Sequence, residues 1–113
     1  MAQYLALIHQ DEQSLGDTYA GETLAPDHGA FIAANQSALA GGLALEPSHT
    51  ATCIRPKGDG SFFVGDGPFV ETKEQLVGYY VIEAANLDEA IAIAQQIPMD
   101  YGGVEVRPVR VLS

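Results

Sequence analysis

Strand-like apolar runs stand at both ends of this chain, and only two segments between them have helical character. Tyr4-Leu5-Ala6-Leu7-Ile8 is nearly continuous in apolar residues, the pattern of a strand buried on both faces. A polar stretch from Gln10 to Thr23, broken by Gly16 and Gly21, reads as a loop. Pro26 and Asp27 then open a helix that runs to about Leu39 and is closed by Gly41-Gly42. Beyond Leu43-Ala44-Leu45 and Pro47, Thr50–Arg55 and Ser61–Val64 form a hairpin about the turn Pro56-Lys57-Gly58-Asp59-Gly60. Leu76–Ala84 is a strong strand. A second helix follows, with Asn86 as N-cap, Glu89 three residues on, an apolar stripe of Leu87, Ala90, Ile91, Ala94 and Ile97, and Pro98 as its stop. Val104–Leu112 supplies the last strand.

The order β, α, hairpin, β, α, β predicts an α+β fold of the ferredoxin-like split βαβ kind, carrying an added hairpin strand. Two helices cover one face of such a sheet. The strands are apolar on both sides, so the other face needs a partner, and a homodimer built sheet to sheet is the expectation. At 113 residues the chain is one domain, residues 1–113.

Charge narrows the partners. Fifteen acids against five bases give a net charge of -10, which repels phosphate backbones and anionic headgroups. No nucleic acid and no membrane is therefore expected as a partner. The N-terminus lacks a basic start, and no stretch approaches the roughly 18 apolar residues of a membrane span. With the single Cys53, these features point to the reducing cytoplasm.

Residues 65–80 read GDGPFVETKEQLVGYY. With Leu87-Asp88-Glu89-Ala90 and Val104-Glu105-Val106-Arg107-Pro108-Val109, this stretch resembles the YCII-related family. Within that family it is similar to the DGPF-domain branch, named for Asp66-Gly67-Pro68-Phe69. The resemblance covers nearly the whole chain and is weakest between Asp11 and Ala25. It implies a ferredoxin-like fold that pairs into a dimeric α/β barrel. Members are treated as possible enzymes, and some stand beside or fused to sigma factors of the extracytoplasmic type.

Few residues carry chemistry. Asp66-Gly67-Pro68-Phe69 is first a turn, with Gly67 suited to positive φ and Phe69 expected to tuck beneath it. Asp66 is also placed to project a carboxylate into a pocket as acid or base. Lys73, one of two lysines, is the candidate cation for an anionic group, with Arg55 as the other. On the first helix His28 and Asn35 fall inside the apolar stripe at a spacing of seven, where each needs a polar partner. The resemblance adds that YCII relatives outside the DGPF branch carry a histidine at the position of His28, regarded as half of a His–Asp site. The aspartate those relatives place after the second helix is absent here, where the chain reads Gln96-Ile97-Pro98. His9 and His49 lack metal-ligand spacing, Cys53 reads as a structural thiol, and no glycine-rich phosphate loop appears. Neither a metal nor a bound cofactor is expected.

Two functions fit. One is a dimeric module that binds an unidentified small molecule, or regulates through it, in a pocket between helix and sheet, with Asn35, Lys73 and Arg55 as ligand contacts. The other is a cofactor-independent enzyme using His28 and Asp66 for acid/base work. Both expect His28, Asn35 and Asp66 to approach one cavity, with Lys73 or Arg55 at its mouth.

Overall fold

The computed structural model describes residues 1–14 and 20–112. Part of the expected Gln10–Thr23 loop, residues 15–19, lies outside the described residues. Among the described residues, six strands and two helices run in the order β1 (Ala2–Gln10), α1 (Ala20–Ala34), β2 (Leu39–Ala44), β3 (Thr52–Pro56), β4 (Phe62–Asp66), β5 (Gln75–Ala84), α2 (Leu87–Ala94) and β6 (Gly102–Pro108). A 3₁₀ turn at Ser48–Thr50 follows β2.

Four strands form one antiparallel sheet in the order β2-β5-β1-β6. Leaving β3 and β4 aside, this is the strand order of a split βαβ sheet, compatible with the ferredoxin-like α+β fold. The centre is set by Tyr4 opposite Ile82 and Ala6 opposite Tyr80, with Ala6 also opposite Val106. Alternation along β1 decides which face is covered: Tyr4, Ala6, Ile8 and Gln10 are buried, while Leu5, Leu7 and His9 are half-buried. The buried row packs with Ile82 and Ala84 of β5, Phe31 of α1, and Ala90, Ile93, Ala94 and Ile97 of α2 and its exit. Fully burying a side chain the size of Ile or Phe contributes about 1.5–3 kcal/mol, so this row is the main stabilising element.

The second helix begins where its cap requires. The Asn86 side-chain oxygen accepts the Glu89 backbone N–H at 2.9 Å, and Asp88 and Glu89 set negative charge against the helix N-terminus. Its inward face is Ala90, Ile93, Ala94 and then Ile97. Leu87 and Ile91, expected in the buried stripe, are exposed instead.

Three expectations are corrected. The first helix starts at Ala20 and ends at Ala34, so Pro26 lies inside it and Asn35 beyond it. Gly41-Gly42 do not end that helix; they lie in β2. A Cβ at Gly42 would sit 2.7 Å from the Tyr79 carbonyl and 2.8 Å from the Tyr80 ring, so glycine is required there by close strand approach and not by a helix cap. The hairpin, finally, adds no strand to the main sheet, because β3 and β4 form a two-stranded sheet of their own.

Candidate functional site

Chemistry gathers at the end of β1 and around the exit of β4. Asp11, just past β1, accepts the Ser14 hydroxyl at 2.8 Å and the Gln13 N–H at 3.1 Å. The Ser14 hydroxyl bond is the main reason its carboxyl titrates below the ordinary aspartate range, and Lys73 reinforces this from 4.0 Å. The next residue, Glu12, accepts the Ser48 backbone N–H at 2.8 Å and the Ser48 hydroxyl as well. Together these bonds fasten the turn after β1 to the 3₁₀ turn after β2.

At the exit of β4, Asp66 leads into Gly67, whose φ of +94° is the left-handed conformation that favours glycine. Gly67 closes the hairpin base, its N–H donating to the Ala51 carbonyl at 2.7 Å and its carbonyl accepting the Cys53 thiol at 2.8 Å. The chain thus bends at Gly67 with the positive φ expected there, while Asp66 itself ends β4. Phe69 does not tuck beneath the bend: the ring is 60% exposed, with the Arg55 guanidinium 4.3 Å from its centroid.

Between these two regions opens a groove of about 740 Å³, lined in part by Glu12, Ser48, His49, Asp66, Glu71 and Lys73. Its outer wall is held by the Gln75 side-chain amide, which donates to the Val70 carbonyl at 2.8 Å. Three carboxylates against one ammonium make the lining net acidic. Lys73 is mostly exposed, with 84% of its side chain open, so the ammonium can swing toward a bound group.

His28 stands elsewhere. On the sheet-facing side of α1, its Nδ1 lies 2.7 Å from the Tyr80 hydroxyl of β5, and the two rings stack at 5.8 Å between centroids. Burial lowers the His28 pKa below the ordinary imidazole value, opposed by the Asp27 carboxylate, and burial raises that of Tyr80. Asn35 is engaged differently again, its Nδ2 donating to the Phe31 carbonyl at 3.0 Å and to Gln96 Oε1 at 2.9 Å.

The single expected cavity is therefore corrected. Asp66 and Lys73 line the groove, His28 joins Tyr80 across the α1–β5 contact, Asn35 joins Gln96, and Arg55 covers Phe69. His28, Asn35 and Arg55 are not among the residues lining the groove. The physical reason is that Asp66 closes a hairpin standing apart from the main sheet, whereas His28 faces the middle of it. Among the described residues, no three His, Cys, Asp or Glu side chains converge to hold a metal ion.

The whole-chain pattern now has a match. A family model described as the YCII-related domain covers residues 2–113. The chain belongs to the YCII-related family. It is also 44% identical over 68 residues to an uncharacterized protein of Rhizobium meliloti (strain 1021), an overlap of 58% of this chain and 54% of that protein. The chain thus spans about half the length of the curated relative it matches. Among the described residues, no helix is long and apolar enough to cross a membrane.

Reading the YCII-family sequence alone missed Tyr80 as the partner of His28. Its signal was present: in the run Val77–Ile82, Tyr80 shares the strand face of Ile82 and needs a partner for its hydroxyl when covered. The Glu12–Ser48 link had no local signal, because 36 residues separate the two.

The depressed His28 pKa has a definite sign. The unfolded chain takes up the imidazole proton near the ordinary value of about 6.5, and the folded protein takes it up only at lower pH. The unfolded state binds more protons across that window, so stability present above pH ~6.5 is lost as pH falls through the folded value. The melting temperature should fall from pH 7.5 to pH 5, and His28→Asn should flatten part of that slope. An imidazole NMR titration placing His28 at or above the ordinary value would contradict this.

Proposed function

We propose that this YCII-family chain is a small-molecule-binding module that works as a homodimer, with Asp66 and Lys73 as its principal ligand contacts. One observation carries the reading: the open groove in which Asp66, Glu12 and Glu71 face a single swinging ammonium. A net acidic lining with one cation suits a small polar ligand that carries an amine and, within reach of Lys73, an anionic group. A regulatory role follows if occupancy of this groove is sensed at the neighbouring hairpin, whose base Asp66 closes.

The homodimer is supported by the uncovered sheet face. Leu5, Leu7, Tyr79 and Val81 alternate outward on β1 and β5, and Leu43 on the neighbouring β2 is 65% exposed. Packing two such faces would build the dimeric α/β barrel. A cytoplasmic setting belongs to the same reading, since the unpaired Cys53 thiol suits a reducing compartment.

The enzymatic reading is favoured by a different observation, the His28–Tyr80 pair. A half-buried imidazole with a depressed pKa is neutral at pH 7 and can take a proton from a substrate, with Tyr80 setting its ring. On that reading the acid/base pair is His28 with Tyr80, and Asp66 serves in binding.

One panel tests both readings. Melting curves taken with millimolar glycine, betaine, putrescine or succinate should show a rise for an amine-bearing probe. In calorimetry, Asp66→Asn and Lys73→Met should each weaken that probe about tenfold, the equivalent of roughly 1.4 kcal/mol, without lowering the unliganded melting temperature. Unchanged affinity in both variants would remove the groove as the site. Conversion of any probe by the parent protein, lost in His28→Ala, would move the assignment to the enzyme.

A further inference from the structure

The β3–β4 hairpin is ordered yet almost uncovered. Its base is closed by Gly67 on Ala51, its five residue pairs run from Thr52–Asp66 to Pro56–Phe62, and its tip is closed by Lys57 N–H on the Ser61 carbonyl at 3.0 Å. Neither strand pairs with the four-stranded sheet. The hairpin lengthens the molecule, whose radius of gyration is 16.0 Å against about 13 Å for a compact chain of this size.

Register sets Ile54, Pro56, Phe62 and Val64 on one hairpin face and Arg55 and Phe63 on the other. Ile54, Phe62, Phe63 and Val64 are all between 54% and 62% exposed. With the similarly exposed Phe69 and Val70 at the base, the open apolar area summed over both faces is on the order of 600 Å². An isolated two-stranded hairpin is marginal in water, so this one needs a cover.

Charge identifies the cover. The hairpin, residues 52–66, holds two of the five bases, Arg55 and Lys57, and two of the fifteen acids, Asp59 and Asp66. It is therefore neutral, and the remaining residues carry the entire net charge of -10. Two bodies of that charge repel each other, while a neutral apolar arm with Lys57 near its tip meets an acidic body without that repulsion.

We propose that the hairpin is a dimerisation arm, with its Ile54–Phe62–Val64 face packed against a second copy of this chain and Lys57, near its tip, set toward that copy's acids. The inference rests on the homodimer reading and adds the element that clasps it. Alone the arm falls short of the roughly 800 Å² per partner of a stable interface, so the open sheet face has to supply the remainder.

The test is sedimentation with light scattering on the full chain, beside hydrogen exchange on a dilution series. The parent should sediment at twice 12.0 kDa at micromolar concentration, and the amides of residues 54–64 should lose protection as dilution dissociates it. Replacing Ile54, Phe62 and Val64 together by Thr, which keeps strand propensity, should weaken dimerisation at least tenfold. Lys57→Glu should weaken it more at low salt than at high salt. A parent dimer whose arm amides exchange independently of concentration would overturn the arm and leave the dimer standing. A parent monomeric at every concentration would overturn both, and the arm's cover would then be a different molecule. Should the triple variant misfold, the exchange series on the parent still decides.

Discussion

An Ile82→Ala protein should unfold about 3–4 kcal/mol more easily than the parent, among the largest losses a single truncation here can give. Ile82 is wholly buried at 0% exposure, at the middle of β5, with Tyr4 of β1 on one side and Leu39 of β2 on the other. It lies two residues along the same face from Tyr80, so it sits beneath the His28 contact as well as within the core. Removing its outer carbons leaves a cavity floored by the paired sheet and lined by packed core side chains. The loss is transfer energy plus an unfilled void. Chemical denaturation read by far-UV circular dichroism checks it. A loss under about 1 kcal/mol would mean that the helices settle onto the sheet and close the gap, at odds with a rigid four-stranded platform. Ile91→Ala on the exposed side of α2 provides the contrast and should lose under about 1 kcal/mol.

Local rules that act within a few residues were legible in this sequence, and rules that act across the sheet were not. Asn86 and Glu89 announce the second helix because a cap needs only residues three apart, and the bond is present. The hairpin turn is equally local: Gly58 and Gly60 adopt φ of +87° and +91°, which glycine alone takes up freely. The first helix was misplaced because Pro26 favours a first turn but does not forbid an earlier one, and because its Ala-rich sequence marks its ends weakly. Gly41-Gly42 look like a helix stop from the sequence, yet the reason for glycine at 42 is the backbone of Tyr79 and the ring of Tyr80 opposite, on a strand far along the chain. The candidate site divides in the same way. Asp66 and Lys73 were legible as loop residues seven apart, and they line one groove. His28 was legible as an inward polar residue, but its partner Tyr80 depends on how a helix meets a strand 52 residues later.

Gly102→Ala should be nearly as damaging, with a loss of about 3 kcal/mol, although it adds a single carbon. Gly102 opens β6 directly opposite Gln10. A Cβ there would lie 1.9 Å from the His9 carbonyl oxygen and 2.8 Å from the Gln10 Cα, both backbone atoms that no rotamer change can move aside. Relief requires β6 to shift away from β1, and the neighbouring bonds show what would go with it. The buried Gln10 side chain donates to the Asp100 carbonyl at 3.0 Å, and the Asp11 N–H donates to the Tyr101 carbonyl at 2.7 Å. Tyr101 itself holds φ at 59°, an unfavourable value for a bulky side chain that only fixed surroundings sustain. Breaking these contacts leaves Gln10, now 1% exposed, with an unsatisfied amide and frees the start of the turn holding Asp11 and Glu12. The substitution should therefore lower the melting temperature and loosen the groove together, so that ligand affinity falls even where the protein remains folded. Gly103→Ala one residue on, where a Cβ meets nothing within 4 Å, is the matched control and should leave both quantities near those of the parent. Equal stability of the two variants would show that the β1–β6 junction yields, and would break the proposed link between that junction and the groove.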